Sequence, residues 1–130
     1  MGVTRGIDTL ISIIKENREV LFNVLAVNDR DDNYTFIAVF REKGTIGQFV
    51  SFVQEYGTND GRSGEGGGGY IRMMNCLKEQ NIDAVSYELF NQEFAYMTRN
   101  QADEKARLEF WKNLVENNII GHWQKVNHTH

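Results

Sequence analysis

The stretch that decides the fold is VLFNVLAVNDRDDNYTFIAVF, residues 20–40. Residues 20–27 are apolar except for Asn23, and a β-branched, aromatic-containing run of this length predicts a strand that is covered on both faces. The polar residues 28–33 predict a turn, and residues 34–40 predict a second strand. These three segments together predict a β-hairpin.

Apolar residues at helical spacing predict a helix on each side of this hairpin. The stripe before the hairpin consists of Ile7, Leu10, Ile11 and Ile14, and the stripe after it of Ile46, Phe49, Val50 and Val53. Thr45 and Gln48 stand in the positions of a capping box, in which the Thr hydroxyl accepts from the N3 amide while the Gln reaches back. The first half of the chain is therefore predicted to be α-β-β-α.

The second half is predicted to have the same order of elements. Residues 85–89 alternate between apolar and polar, which predicts a strand, and a weak turn at 91–92 leads into a predicted fourth strand at 94–98. Asn100 is the predicted cap of a last helix, and Gly121 its predicted stop. The helical stripes of this half are Tyr70, Met73, Met74 and Leu77, and later Leu108, Trp111, Leu114 and Val115.

These elements predict one α+β domain over residues 1–130, because a chain of 130 residues fits one core better than two. The predicted architecture is a four-stranded, mostly antiparallel sheet made from two hairpins, with helices packed on it. The order α-β-β-α would occur twice at an offset of about sixty residues, as a pseudo-twofold repeat. Residues 57–69 hold seven of the 12 glycines and predict a flexible loop, and the polar residues 122–130 predict a mobile tail.

The composition narrows the classes of molecule that the chain is expected to bind. The net charge is −4 and the pI is about 5.3, so the chain lacks the basic excess that nucleic-acid binding requires, and a basic protein partner is favoured. No apolar run approaches the roughly 20 residues that span a bilayer, so no membrane partner is predicted. A single cysteine excludes an internal disulfide and favours a reducing compartment, so we expect a cytoplasmic protein. Homo-oligomerisation stays open.

The glycine-rich segment is the most unusual feature of the sequence. Its glycines at 64, 66 and 69 satisfy G-x-G-x-x-G, but dinucleotide binding by that motif requires a preceding strand, and a helix is predicted here. Glu65 would also repel phosphate. The segment is interpreted as a flexible connection or an inserted linker. The alternative is a loop that closes over a nucleotide-like anion, with the ligand-binding residues Arg62, Gly66, Gly69, Tyr70 and Arg72.

No cofactor or metal site is predicted. Residues 29–33 resemble a calcium loop, but Tyr34 and Phe40 occupy the positions at which an EF-hand needs Gly and Glu. The three histidines lie within the last nine residues, where no second shell would hold them. Cys76 follows an apolar helical stripe and is expected to be a small buried side chain rather than a reactive thiol.

Catalysis has little support in the sequence. The chain contains no G-x-S-x-G, H-E-x-x-H or C-x-x-C motif, and no nucleophile is paired with a histidine base. The weaker alternative is an enzyme with a carboxylate pair, in which Glu88 and Glu93 would face each other across the second predicted hairpin.

The best-supported prediction is a non-catalytic binding protein of the inhibitor, immunity or anti-defence type. Such a domain would use acidic loops against the basic active site of a nuclease, a similar toxin or a defence protein. The predicted partner-binding residues are Asp29, Asp31 and Asp32 in the first turn and Glu65 in the glycine-rich segment.

Overall fold

The hairpin predicted from residues 20–40 is present, as strands β1 (Leu21–Asn28) and β2 (Asn33–Arg41). The two strands pair antiparallel, with Leu25 opposite Ile37. The computed structural model describes residues 3–42, 44–45, 47–54, 58–59, 65–98 and 102–121.

Three further strands and four α-helices complete the described part of the chain, and the predicted α+β class is confirmed. A short 3-10 helix, Arg18–Val20, precedes β1, and a π-helical turn, Glu116–Ile120, follows the last helix. In chain order the other elements are α1 (Val3–Glu16), β1, β2, β3 (Phe49–Val53), β4 (Thr58–Asn59), α2 (Glu65–Glu79), β5 (Val85–Glu88), α3 (Asn91–Thr98) and α4 (Glu104–Val115).

The sheet is mixed rather than mostly antiparallel. Its order is β3-β2-β1-β5. The two-residue β4 pairs with residues 33–34 of β2, outside the stretch of β2 that pairs with β3. β2 is antiparallel to its neighbours, but β5 runs parallel to β1, with Leu25 opposite Val85. A parallel neighbour requires a crossover instead of a hairpin, and α2 lies in that crossover.

The predicted helix after the hairpin is wrong, because Phe49–Val53 is strand β3. Gly44 precedes the proposed capping box of Thr45 and Gln48, and Gly47 lies inside it. Their φ angles are 78° and 77°, in the left-handed region where a right-handed helix cannot begin. The Glu42 amide instead donates to the Gln48 carbonyl at 3.0 Å. This bond extends the β2–β3 ladder through the turn.

The predicted second hairpin is also absent, because residues 94–98 lie in α3 and not in a fourth strand. Glu93 stands in the first turn of α3, where the helix dipole favours a carboxylate, and Phe94 is buried. The second half of the chain contributes only β5 to the described sheet, so the order α-β-β-α is not repeated.

Two apolar clusters lie on opposite faces of the sheet, and β1 contributes to both. Val24 and Ala26 face one cluster, while Leu25 and Val27 face the other. The strand is therefore covered on both faces, as predicted. Helices α1 and α2 supply the first cluster with Ile7, Leu10, Ile14, Met73, Cys76 and Leu77. Helices α3 and α4 and the π-helical turn supply the second with Phe94, Trp111, Leu114, Val115 and Ile119.

Part of the predicted flexible loop at 57–69 is regular structure. Residues 65–69 form the first turns of α2, which begins at Glu65 rather than at Tyr70, and Thr58–Asn59 pairs with β2. Gly69 is buried, so the glycine backbone belongs to a packed helix. Residues 57 and 60–64, and the predicted mobile tail at 122–130, lie outside the described residues.

The last helix begins and ends differently from its prediction. Asp103 caps α4 by accepting from the Ala106 amide at 2.8 Å, whereas Asn100 lies outside the described residues. Gly121 does not stop the helix, because its backbone is right-handed helical at φ −60°. Trp111, Leu114 and Val115 are buried as predicted, but Leu108 is 60% exposed.

Two adjacent methionines in α2 test the packing directly. Met73 is fully buried and Met74 is 41% exposed. We expect Met73→Ala to lower the free energy of unfolding by about 2–5 kcal/mol, because the substitution leaves a cavity in the core. Met74→Ala is the matched control and should cost less than about 1 kcal/mol. Urea denaturation measures both, and equal losses would contradict the assignment of the buried face.

Candidate functional site

The turn between β1 and β2 is built around a buried carboxylate. Asp29 is only 4% exposed, and its Oδ1 accepts from the backbone amides of Asp31 and Asn33 at 2.9 and 3.0 Å. Its Oδ2 accepts from the Asn33 side-chain amide at 2.9 Å. An Asp that bonds to backbone amides two residues or more ahead fixes a turn. Asp29 therefore shapes the turn, and because so little of it is exposed we do not carry it forward as a partner-contacting residue.

Asp31 and Asp32, by contrast, are exposed as predicted. Asp32 adopts φ 60°, a left-handed conformation that Asp and Asn tolerate better than most residues. The turn therefore exposes the carboxylates of Asp31 and Asp32 to solvent and buries that of Asp29.

A second loop, between β5 and α3, is hydrogen-bonded to this turn. The Leu89 amide donates to the Asn28 carbonyl at 2.8 Å. The Asn91 side chain accepts from the Arg30 amide at 2.8 Å and donates to Asp31 Oδ2 at 2.9 Å. The loops meet because β1 and β5 are parallel, so their carboxyl ends lie at the same edge of the sheet.

The two loops together present an exposed aromatic ring at the surface. Phe90 is 67% exposed, and the Arg30 guanidinium lies 5.1 Å from the centre of its ring, within cation–π range. Arg30 Nε is also 4.0 Å from Glu88 Oε2. Both side chains are more than half exposed, so this ion pair adds little to stability.

We call this surface, residues 30–32 and 88–93, the acidic corner. It carries four carboxylates against the single guanidinium of Arg30, and they belong to Asp31, Asp32, Glu88 and Glu93. Sequence reasoning missed Arg30, Phe90 and Asn91. The sequence gives one signal for Phe90, an aromatic residue directly after a strand with alternating polarity. It gives none for the contacts of this loop with Arg30, because about sixty residues of chain separate the two segments.

Glu88 and Glu93 are not a carboxylate pair across a hairpin. Glu88 ends β5 and Glu93 lies in the first turn of α3, so the geometry assumed for the enzyme alternative is wrong.

The described residues of the predicted anion site do not converge. Tyr70 packs against Tyr34, with ring centres 4.9 Å apart, while Arg72 Nε donates to Asp8 Oδ1 of α1 at 3.0 Å. Two positions apart on a helix, they lie about 200° from each other around its axis. Gly69 is buried. Glu65 and Gly66 lie in the first turn of α2, and Arg62 lies outside the described residues.

Cys76 is buried in the helical layer, as predicted. Burial raises the pKa of its thiol above the ordinary value, an effect that the charge of Lys15 only partly offsets. A protonated thiol is a poor nucleophile and a poor metal ligand. Within the described ranges, no three His, Cys, Asp or Glu side chains are grouped to hold a metal ion, and no helix is long and apolar enough to cross a membrane.

Two clefts of mixed polarity lie between β3 and α4. One cleft of about 240 Å³ is lined by Val53, Met97, Leu108 and Trp111, among others. A neighbouring cleft of about 320 Å³ shares Val53, Leu108 and Trp111 and adds Phe49 and Ser51. Charged side chains share the lining, Glu104 and Arg107 in the first cleft and Lys112 and Glu116 in the second.

The role of Asp29 is testable with a change of one atom. Asp29→Asn puts an amide nitrogen where Oδ2 accepts from Asn33, and it removes the charge that strengthens the bonds to the backbone. We expect the free energy of unfolding to fall by about 1–3 kcal/mol. Asp32→Asn removes the same charge in solvent and should change it by less than about 0.5 kcal/mol. Thermal and urea denaturation of both variants measure these changes. An unchanged free energy of unfolding for Asp29→Asn would contradict the role of the buried carboxylate in holding the turn.

No protein-family model matches the chain, and the searches of curated proteins and of solved structures return no significant match. Function is therefore inferred from the geometry of the described residues. The acidic corner is the surface on which charge, an exposed aromatic ring and a hydrogen-bonded scaffold coincide.

Proposed function

We propose that the chain is a non-catalytic protein-binding domain of the inhibitor or immunity type, and that its acidic corner recognises a basic surface on another protein. The observation that carries the proposal is the exposed Phe90 ring, which packs against the Arg30 guanidinium on a hydrogen-bonded scaffold, with Glu88 paired to the same guanidinium. Aromatic residues and Arg supply most of the energy at protein interfaces.

The rigidity of the corner supports this proposal. Asp29 holds the turn with three hydrogen bonds, and Asn91 holds the two loops together with two more. Ordering a loop on association costs binding free energy, and a loop that is already ordered avoids that cost. The corner can therefore meet a partner without first rearranging.

The charge of the corner supports a basic partner. Its four carboxylates and one guanidinium agree in sign with the net charge of −4 of the whole chain. Complementary charge accelerates encounter and rejects acidic competitors. The basic active site of a nuclease, of a toxin that acts on a polyanion, or of a defence protein has the matching chemistry. Phe90 would fill an apolar notch beside those basic groups.

A charge variant tests the electrostatic part of the proposal. Asp31→Lys combined with Asp32→Asn alters the corner and keeps a residue that tolerates the left-handed backbone at position 32. The matched control combines Glu16→Lys with Glu79→Gln, which changes the net charge equally. Both control positions are exposed and close helices that precede β1 and β5, at the opposite end of these strands.

The measurement starts with capture from a lysate of the organism that encodes the chain. Tagged wild-type chain and control should retain the same basic protein, and the corner variant should lose it. With that protein purified, we expect association to slow by about 10- to 100-fold at low salt for the corner variant, and by less as salt screens the charges. Equal retention by all three forms, or no protein retained by the wild type, would overturn the proposal.

A truncation tests the aromatic part separately. Phe90→Ala removes an exposed ring, so folding stability should change by less than about 1 kcal/mol. Affinity for the captured partner should fall by at least about 30-fold, mainly through faster dissociation. Tyr96→Ala, at an aromatic of α3 that is 47% exposed, is the control. Unchanged dissociation after Phe90→Ala would remove Phe90 from the interface.

A further inference from the structure

Among the described residues, the edge strand β3 carries none of the usual protection of a sheet edge. It is the outermost strand beside β2 in the described sheet, and its sequence FVSFV contains no charge and no Pro. Natural edges carry Lys, Pro or a bulge, because an open edge invites pairing with another chain. Val50 and Phe52 are each 44% exposed on the face that α1 and α2 cover elsewhere.

The outward backbone groups of β3 follow from its pairing with β2. The Gln54 amide donates to the Phe36 carbonyl at 2.9 Å, and the Glu42 amide donates to the Gln48 carbonyl at 3.0 Å. Backbone groups of successive strand residues point to opposite sides, so the even-numbered residues of β3 bond to β2. The N–H and C=O groups of Ser51 and Val53 therefore point away from the sheet.

The other face of this edge carries an exposed leucine on α4. Leu108 lines both clefts beside β3 and a third, shallow one on the outer side of α4. Two charges of opposite sign lie on the same side of α4 as Leu108 and are placed symmetrically about it. Glu104 and Lys112 lie four positions to either side of Leu108, within about 40° of it around the helix axis.

We propose that the chain forms a two-fold symmetric dimer in which β3 of each copy pairs antiparallel with β3 of the other, centred on Ser51. This register places Val50 of each copy opposite Phe52 of the other and joins the two sheets into one. The two α4 helices then lie on the same face and run antiparallel. Glu104 of one copy faces Lys112 of the second copy.

A second copy fits this edge better than an extended peptide does. A peptide would pair with the backbone of β3 but leave either Leu108 or the Val50 and Phe52 face in water. A second copy covers both faces at once and supplies opposite charges at matching positions of α4. Self-complementarity of this kind is the requirement for a two-fold interface. The acidic corner lies at the carboxyl ends of β1 and β5, so the dimer would present two corners.

Sedimentation velocity of the full chain over micromolar to near-millimolar concentrations tests the dimer. We expect a species of twice the 15.0 kDa chain mass. Phe52→Lys should raise the dissociation constant of the dimer at least about 100-fold, because it buries a charge at the centre of the pairing. Tyr87→Lys, on the opposite edge strand β5 and 37% exposed, should leave it unchanged. Monomer at all concentrations, or a dimer lost only with Tyr87→Lys, would overturn the proposal.

Charge reversal in α4 tests the register. Glu104→Lys or Lys112→Glu alone should weaken the dimer about tenfold, since each places like charges opposite each other twice. The double reversal should restore the wild-type dissociation constant within about twofold, because opposite charges then face each other again. These residues are two helical turns apart within one copy, so rescue reports contact between copies. A double reversal weaker than either single variant would overturn the register.

Cross-linking provides a direct readout of the centre of the pairing. Ser51→Cys should form a disulfide between two copies under mild oxidation, because opposite residues in an antiparallel pair are about 5.5 Å apart at Cα, which a disulfide can span. Ser86→Cys, exposed on β5, is the control and should stay monomeric under the same conditions. Cys76 is buried and does not compete. Equal cross-linking of both variants, or none with Ser51→Cys, would overturn the proposal.

Discussion

Burial of β1 on both faces is the constraint on which the rest of the structure depends. Four consecutive residues, Val24 to Val27, are buried and alternate between two apolar clusters. Full burial of such a side chain is worth about 1.5–3 kcal/mol, and neither face can be left in water. Helices α1 and α2 on one side and α3 and α4 on the other satisfy the two faces. The three-layer arrangement follows from one apolar strand between β2 and β5.

The same strand determines where the acidic corner lies. β5 joins β1 in parallel after a helical crossover, which brings the ends of two strands together although about sixty residues separate them. In sheets with parallel strands, binding sites commonly form outside the carboxyl ends. Here the site is a hydrogen-bonded protrusion rather than a crevice. Asp29 and Asn91 act beneath its surface, and Arg30 and Phe90 form its exposed part.

Sequence patterns predicted correctly those elements that are determined by residues close together in the chain. The bounds of β1 and β2 agree with their prediction within about one residue, since an unbroken apolar run, a polar turn and a second run leave little choice. Phe49, Val50 and Val53 have helical spacing and so predict a helix, but Phe49 and Val53 also share one face of a strand. The ladder supplied by β2 decides for the strand. Residues 94–98 have strand-like composition but lie in α3, where Phe94 packs into the apolar cluster that covers Leu25 and Val27.

The candidate site was predictable only in part. The exposure of Asp31 and Asp32 follows from their place in a polar turn. Asp29 has the same side chain and the same neighbours in sequence, and its burial depends on Asn33 closing the turn over it. Phe90 acquires its significance from Arg30 and Glu88, and that grouping requires β5 to lie beside β1. Contacts between distant segments carry no signature in either segment alone.

The parallel pairing of β1 with β5 also has a consequence for biosynthesis. Residues 3–53 contain α1 and the three antiparallel strands β1, β2 and β3, whose contacts are short in sequence and close early. The other edge of β1 has its described pairing partner only in residues 85–88, which leave the ribosome about thirty residues after β3. During that interval β1 has an unpaired edge and an incomplete helical cover, which is the condition that exposes nascent chains to misassociation.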